Sequence, residues 1–273
     1  MPLSLPHGLH RNYPAERYHA RVPALASKGA LDHVRKAPAV YKAWLEGHEK
    51  EDTAAFAFGR AFHCALLEPD VFATTYAVEP DFGDCRTKAN RTARDTWREQ
   101  NSGRVLLSER DASMIAPMIA AVRAHPLASR MLQDGVPELT LRWRDEETGI
   151  ECKARADHYV ERLRLVVDVK TCDDASREGF RKSAAKYGYA RQAAFYDAGF
   201  AALGEELEHF LFLCVEKERP HLVGLYNFDE DGMARGFASI CEDLETLAWC
   251  LERDEWPGLP TSITTVDLPP WAI

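Results

Sequence analysis

The chain has 273 residues, of which 46% are hydrophobic and 28% are charged. These proportions are those of a globular protein and exclude a disordered or fibrous chain. The sequence has no apolar run near the roughly 18 residues of a membrane helix, and its N-terminus lacks the features of a signal peptide. We therefore expect a cytoplasmic protein with no membrane partner, built as one elaborated domain over residues 1–273.

The formal net charge of -9 opposes nucleic-acid binding if charge is spread evenly, because neutralising phosphates needs clustered Lys and Arg. Two basic stretches depart from the acidic average. The first contains Arg86, Lys88, Arg91, Arg94, Arg98 and Arg104, and the second contains Arg177, Arg181, Lys182, Lys186 and Arg191. Each stretch is either a solvated helix face or a nucleic-acid surface, and a reacting centre beside it would favour the second interpretation.

The seven cysteines are odd in number, scattered, and never arranged as CxxC. This pattern argues against a disulfide framework, a zinc ribbon and an iron–sulfur cluster. It predicts reduced thiols that are mostly buried.

Helical signals dominate residues 14–132. Residues 27–45 predict helices broken at Pro38, and residues 53–69 predict a helix that ends before Pro69. Residues 80–103 are polar and basic. Residues 104–108 predict a short strand, and residues 111–132 predict helical structure interrupted at Pro117 and Pro126.

The sequence changes character after residue 132. Three β-rich runs, at residues 137–145, 149–161 and 163–171, predict an antiparallel meander. A helical stretch at about 173–203, two strands at 208–218 and 221–229, and a helix from about 230 to 253 follow. This order predicts an α+β fold with a mixed central sheet, whose catalytic part spans residues 133–255. The proline-rich tail, residues 256–273, is predicted to be a surface strap or a subunit contact.

Three charged residues lie where the predicted strands end. Phosphodiester hydrolysis needs carboxylates that converge on divalent cations. Asp168 and Lys170 end an apolar strand and point to one face because strand side chains alternate, and Asp157 can share that face. An acid-x-Lys triplet is weak evidence alone, and Glu151-Cys152-Lys153 is a second one. We prefer the Asp168 triplet because charges at the end of an apolar strand are unfavourable unless they bind something; an ordinary Asp168–Lys170 ion pair is the alternative.

Four ordered blocks resemble the RecE-type (exonuclease VIII) branch of the PD-(D/E)xK nucleases and, more distantly, the RecB nuclease domain. They are FGRAFH (58–63), KARADHYV (153–160), VVDVKT (166–171) and QAAFYD (192–197). The resemblance extends from about Tyr13 through the terminal LPPWAI. It implies a restriction-endonuclease-like core with a catalytic β-hairpin and extra N-terminal helices.

The resemblance also implies roles for individual residues. Asp157 and Asp168 match metal-binding acids, the Val169 carbonyl completes the metal shell, and Lys170 matches the lysine at the attacking water or scissile phosphate. His63 matches a helix-borne histidine that binds metal. Oxygen ligands with one imidazole suit Mg²⁺ or Mn²⁺. Without the resemblance, His63 on its apolar helix is more typical of a core histidine.

Gln192 and Tyr196 lie four residues apart and match a Gln-xxx-Tyr element that contacts the nucleic-acid backbone. Without the resemblance, Tyr196 is a core residue and Gln192 a surface residue. Glu138 is either an accessory acid for a second metal or a solvated glutamate. The other candidates for substrate binding are Arg60, Arg181 and Lys182.

The activity implied is Mg²⁺-dependent hydrolysis of double-stranded DNA from an end, in the 5′ to 3′ direction. Relatives of this branch form rings around DNA and pass the 3′ strand to a single-strand annealing protein during recombination. We therefore expect a homo-oligomer, with a tetramer as the first expectation. The alternatives are a structure- or site-specific endonuclease and a non-catalytic DNA-binding module on the same fold.

Overall fold

A computed structural model describes residues 5–48 and 53–267. Its centre is a seven-stranded mixed sheet, and a separate two-stranded parallel sheet lies outside it. The strands of the central sheet are β1 (Gly8–His10), β2 (Leu25–Ala26), β5 (Val136–Arg144), β6 (Glu151–Val160), β7 (Leu165–Cys172), β8 (His209–Glu216) and β9 (Val223–Tyr226); the small sheet contains β3 (Tyr76–Glu79) and β4 (Val105–Ser108).

Helices surround these sheets. They are α1 (Ala15–His19), α2 (Lys28–Lys36), α3 (Pro38–Leu45), α4 (Ala54–Leu67), α5 (Pro69–Thr75), α6 (Lys88–Gln100), α7 (Glu109–Ala124), α8 (Pro126–Met131), α9 (Arg177–Tyr187), α10 (Tyr189–Ala202) and α11 (Glu230–Arg253). Several begin at a residue whose side chain accepts a backbone N–H, as Thr53 does for α4 and Asp229 for α11. Caps of this kind contribute about 1 kcal/mol each.

The central sheet runs in the order β1-β5-β6-β7-β8-β9, and β2 pairs parallel with β6. Strands β5, β6 and β7 are antiparallel neighbours, which confirms the predicted meander. Strands β7 and β8 are parallel, and α9 and α10 form the crossover that such a pair requires. The α+β class with a mixed sheet is therefore confirmed.

Both faces of the sheet are covered. Helices α2, α3, α9, α10 and α11 share one core cluster with Val166 and Phe212 of the sheet. Helices α4, α7 and α8 share a second cluster with Val167 and Leu213, which point to the other face. Because side chains alternate along a strand, β7 is apolar on both sides until Asp168. The site described below lies where this double coverage ends.

Prolines and glycines divide the helices differently from the prediction in two places. Pro38 and Pro126 begin α3 and α8 as predicted, but α7 continues through Pro117. A proline inside a helix removes one hydrogen bond and costs about 3 kcal/mol. The burial of neighbouring apolar side chains such as Met118 offsets this loss. The helical stretch at 173–203 divides at Gly188, which has a φ of +64°.

Helix α6 was not predicted. It begins at Thr87, whose side chain accepts the N–H of Asn90. Asn90, Arg94 and Trp97 are its partly buried residues and recur at helical spacing. This spacing is the signal that could have identified the helix within a highly charged segment.

The start of the C-terminal segment lies against α3. Trp256 stacks on Tyr41 with ring centroids 5.6 Å apart, and the N–H of Ala39 donates to the carbonyl of Pro257 at 3.0 Å. The terminal LPPWAI, part of the predicted strap, lies outside the described residues.

All seven cysteines are free thiols, as predicted, but only Cys152, Cys214 and Cys250 are fully buried. Within residues 5–48 and 53–267, a helix long and apolar enough to cross a membrane is absent.

Candidate active site

The candidate site lies where β6 and β7 separate. The last registered pair between these strands is His158 with Val167. Immediately beyond it, the N–H of Val169 donates to the side chain of Asp157 (N to Oδ2, 2.8 Å). The carboxylate of Asp157 therefore bridges the two strands as they diverge, which fixes its position.

The neighbouring strand β5 is irregular at the same level. Glu138 has a φ of +52°, in the left-handed region that non-glycine residues rarely adopt. Regular pairing with β6 holds at Leu139–Ala156 and at Pro137–His158, on either side of Glu138. Left-handed backbone at a residue other than glycine costs of order 1–3 kcal/mol and is concentrated at functional sites. Here it accompanies a side chain that reaches toward α4.

His63 on α4 meets both of these acids. Its Nε2 lies 3.0 Å from Asp157 Oδ2, and its Nδ1 lies 3.4 Å from Glu138 Oε1. Burial alone lowers the pKa of His63, but the negative charges of Asp157 and Glu138 outweigh it and raise the pKa to about 9. Burial raises the pKa of Glu138 to about 7, although the positive charge of His63 acts to lower it. The charges on the three side chains therefore affect one another's pKa values.

Helix α4 is held close to the sheet so that His63 can reach these acids. Phe58 and Phe62 are buried against β7 and β8. Gly59, one turn before His63, faces β7, where a Cβ at this position would lie 3.4 Å from Thr171 Oγ1. His63 therefore faces Asp157 and Glu138 from a helix whose inner face is otherwise apolar.

Asp168 forms the second half of the site. It is 1% exposed, and its two oxygens contact different partners. Lys170 Nζ lies 2.5 Å from Oδ2, and Gln192 Nε2 donates to Oδ1 at 2.5 Å. Burial raises the pKa of Asp168 to about 6, although the positive charge of Lys170 acts to lower it. Burial opposes the charged form of Lys170, but Asp168 and Asp157 raise its pKa above the ordinary value, so the lysine is a cation at neutral pH.

The donor set of the first half suits a divalent cation. One ligand atom each from His63, Glu138 and Asp157 lie within 4.8 Å of one another. Two carboxylates and one imidazole are a donor set that Mg²⁺ or Mn²⁺ accepts. The predicted set overlaps this group in His63 and Asp157, and the group adds Glu138, which was predicted as an accessory acid. Asp168 lies beside the group and pairs with Lys170, and its role as a metal ligand stays a prediction. A role of the Val169 carbonyl as a ligand stays a prediction.

Arg155 supports Glu138 and was missed by the sequence analysis. Its side chain is 7% exposed. It donates to Thr140 Oγ1 (2.9 Å) and to the carbonyl of Tyr13 (2.7 Å), and one terminal nitrogen lies 3.5 Å from Glu138 Oε2. Its guanidinium lies 4.3 Å from the ring centroid of Tyr18. Alternation along β6 indicates the face on which Arg155 lies, but two of its partners, Tyr13 and Tyr18, lie more than a hundred residues earlier in the chain.

Replacing Arg155 with Met is expected to lower the free energy of unfolding by about 3 kcal/mol. The reason is that Glu138 and Thr140 each lose a polar partner in a buried site. Urea denaturation followed by circular dichroism measures the change. Arg11→Met is the control, since Arg11 pairs with Glu161 on the surface and such pairs contribute less than about 1 kcal/mol. Equal losses in the two variants would contradict a supporting role for Arg155.

The Gln-xxx-Tyr element points inward. Gln192 contacts Asp168, as described above. Tyr196 is buried, and its hydroxyl donates to the carbonyl of Arg155 at 2.9 Å. This placement corresponds to the core alternative for Tyr196 and differs from the predicted contact with nucleic acid, because the hydroxyl is already used inside the protein.

The second acid-x-Lys triplet has structural partners. Glu151 lies 2.9 Å from His7 and 3.2 Å from Arg142. Lys153 donates to the carbonyls of Tyr18 and Ala20. These contacts anchor the N-terminal segment to β6 and leave the Asp168 triplet as the one beside the acidic cluster.

The second basic stretch is only partly available to a ligand. Arg181 and Lys182 are exposed on α9, and Arg181 lies 3.6 Å from Glu178. Arg191 instead pairs with Asp32 at 2.5 Å and with Asp243, mostly shielded from solvent. Its predicted membership of a basic surface is therefore wrong, because two acids from α2 and α11 neutralise it.

The first basic stretch lies on and around α6, and local acids neutralise much of it. Arg86 pairs with Asp84, Arg94 with Asp95, and Arg98 with Glu79. Arg104 donates to the carbonyls of Ala73 and Tyr76. Arg60, the remaining basic candidate, is exposed on α4 one turn before His63.

Comparisons with known proteins bear on the family and the fold of the chain. Residues 27–267 match the family described as a PDDEXK-like domain of unknown function. A crystal structure of an inferred exonuclease from Eubacterium rectale is 13% identical, with a TM-score of 0.60 over 93% of this chain and 97% of that chain. A phage-related exonuclease from Haemophilus somnus 129PT is 16% identical over 88% of this chain and 99% of that chain, with a TM-score of only 0.36. A search of curated proteins finds no match.

The Eubacterium rectale structure shows a shared fold, and the family match covers most of the chain. The α+β architecture is thus a PD-(D/E)xK, restriction-endonuclease-like core. The chain belongs to the family of PDDEXK-like domains of unknown function.

Proposed function

We propose that the protein is a metal-dependent nuclease that hydrolyses phosphodiester bonds of DNA. The observation that carries this proposal is that a donor set for a cation and a cationic lysine lie side by side on the sheet. His63, Glu138 and Asp157 form a donor set for a divalent cation, and the cationic Lys170 lies beside the buried Asp168 next to them. Both are needed for this chemistry: a Lewis acid, and a fixed positive charge near the phosphate.

The residues divide the work as follows. His63, Glu138 and Asp157 would hold the cation, for which we propose Mg²⁺, with Mn²⁺ as a substitute. When bound, a divalent cation supplies Lewis-acid stabilisation of the charge that develops on the phosphate. Lys170 stabilises negative charge on the phosphate or orients the attacking water through its ammonium group. Gln192 keeps Asp168 in place by donating to its second oxygen.

The substrate and direction rest on the resemblance of the four sequence blocks to the RecE-type branch. We propose that double-stranded DNA is digested from an end, 5′ to 3′, leaving 3′ single strand for recombination by annealing. A neighbour with the same fold is named as an exonuclease, which supports digestion from ends. A structure- or site-specific endonuclease is the second candidate, because the same residues can serve either activity.

Linear and circular DNA distinguish these activities. A blunt duplex labelled at either the 5′ or the 3′ end, and a covalently closed circle, are incubated with the protein in Mg²⁺ or in EDTA. We expect release of the 5′ label in Mg²⁺ only, with the circle intact. Cutting of the circle would establish an endonuclease, and the absence of hydrolysis on all substrates would establish a non-catalytic module.

We also propose a ring-shaped homo-oligomer, with a tetramer as the first expectation, and a single-strand annealing protein as partner. The resemblance supports both. Light scattering coupled to gel filtration gives the mass of the assembly, and a monomer at micromolar concentration would contradict the ring.

The exposed pair Arg181 and Lys182 is expected to contact DNA phosphates. If each side chain makes one contact, the double variant Arg181→Ala, Lys182→Ala binds duplex DNA with a salt slope of log K shallower by up to roughly 2. Affinity is measured in EDTA from low to moderate salt. Arg35→Ala is the control, because Arg35 pairs with Glu242 and Asp243. An unchanged slope in the double variant would show that these residues are a solvated face.

A further inference from the structure

Tyr187 is an exposed aromatic residue with an anchored backbone. Its side chain is 45% exposed at the end of α9. Its carbonyl accepts a hydrogen bond from Lys28 Nζ at 2.5 Å, and Gly188 then turns the chain into α10 with a φ of +64°. The ring is therefore presented to solvent from a defined position.

Ring contacts connect Tyr187 to the candidate active site. Tyr187 stacks on Tyr189 with centroids 5.9 Å apart and an interplanar angle of 23°. Lys170 Nζ lies 5.1 Å from the centroid of Tyr189, which also stacks on Phe212 at 5.2 Å. A single aromatic ring thus separates the exposed tyrosine from the lysine that we place beside the phosphate.

Cations accompany the exposed ring. Lys186 Nζ lies 4.9 Å from the centroid of Tyr187, and Lys182 is exposed one turn earlier on α9. Sites for single-stranded nucleic acid combine an aromatic face that stacks on a base with cations that follow the backbone.

We infer that Tyr187 is a stacking subsite for an unpaired nucleobase of DNA, adjacent to the candidate active site. This inference rests on the proposed nuclease function and specifies its substrate: the strand beside the site must be unpaired where it passes α9, since a paired and stacked base does not offer a free face to the ring. Lys186 contacts the backbone of the same strand. Tyr189 is a positioning residue, because it holds Tyr187 and faces Lys170.

Variants at Tyr187 distinguish an effect of the aromatic face from an effect of side-chain size. Tyr187→Phe keeps the ring, Tyr187→Leu keeps apolar bulk without an aromatic face, and Phe237→Ala on α11 is the control for loss of an exposed aromatic side chain. The probe is a single-stranded 12-nucleotide DNA with one 2-aminopurine, studied in EDTA. Its fluorescence falls when the base stacks, and its titration gives the affinity.

We expect wild type, Tyr187→Phe and Phe237→Ala to quench the probe and to bind within about twofold of one another. Tyr187→Leu is expected to lose the quench and about 5- to 100-fold in affinity, the range for one stacked base. Affinity for a DNA duplex with both ends closed by hairpin linkers is expected to stay unchanged. Wild-type quench and affinity in Tyr187→Leu, or equal losses for the closed duplex, would overturn the inference.

Hydrolysis by the wild-type protein separates this inference from the proposed function. If the protein digests DNA in Mg²⁺ but Tyr187→Leu binds the probe normally, the stacking subsite alone is refuted. If Tyr187→Leu loses the quench but the wild-type protein digests no DNA, the subsite stands and the nuclease proposal is refuted.

Discussion

Lys170→Met is expected to lower the rate of DNA hydrolysis by about 10²- to 10³-fold, the range observed when one charge-stabilising donor is removed from an active site. Methionine keeps the length and apolar stem of lysine but removes the ammonium group that lies 2.5 Å from Asp168. Single-turnover hydrolysis of an end-labelled duplex in saturating Mg²⁺ measures the chemical step. Thermal melting by circular dichroism checks that the variant is folded. We expect it to fold, because Gln192 can still donate to Asp168.

Lys217→Met is the matched control. Lys217 pairs with Asp173 at 2.6 Å, just beyond the ends of β7 and β8, so the variant loses an ion pair of similar length outside the site. We expect it to keep the wild-type rate. Activity of Lys170→Met within threefold of wild type would remove this lysine from the chemistry, and with it the preference for the Asp168 triplet.

Asp157→Asn is expected to abolish metal-dependent activity and to weaken cation binding by more than about 100-fold, since even loss of a residue that supports a metal ligand weakens binding 10- to 100-fold. The amide can still accept the N–H of Val169, so the strands should separate at the same place. His63→Ala should have a smaller effect because it removes one neutral ligand. Calorimetric titration with Mn²⁺ measures the affinities.

Asp173→Asn serves as the control for Asp157→Asn. Its carboxylate is exposed and pairs with Lys217, outside the acidic cluster. Wild-type Mn²⁺ affinity in Asp157→Asn would show that the cluster is an ordinary set of ion pairs. Wild-type affinity in His63→Ala alone would return His63 to the role of a core histidine.

Local signals in the sequence account for much of the fold. The bounds of α11 could be predicted because Asp229 caps its start and apolar residues recur at helical spacing. The meander could be predicted because β5 and β6 contain alternating residues, β7 is rich in β-branched residues, and short connections join the three strands. The apolar run ends at Asp168, which pairs with Lys170 beside the group of His63, Glu138 and Asp157.

The remaining features depend on contacts between distant segments. The turn of Glu138 toward His63 requires a left-handed backbone within a strand, which local propensity disfavours. Arg191 belongs by sequence to a basic stretch, yet its partner Asp32 is 159 positions away. The burial of Arg155 likewise requires the N-terminal residue Tyr13 to lie across the sheet. Sequence patterns relate each of these residues only to its neighbours in the chain, so they do not indicate contacts with distant segments.

Anomalous diffraction from crystals grown in Mn²⁺ tests the central claim most directly, namely that His63, Glu138 and Asp157 form a divalent-cation site beside Lys170. We predict an anomalous peak within coordination distance of all three side chains, and its loss in Asp157→Asn crystals. The absence of a peak there, at Mn²⁺ concentrations that support DNA hydrolysis, or a peak only at other residues, would contradict the claim.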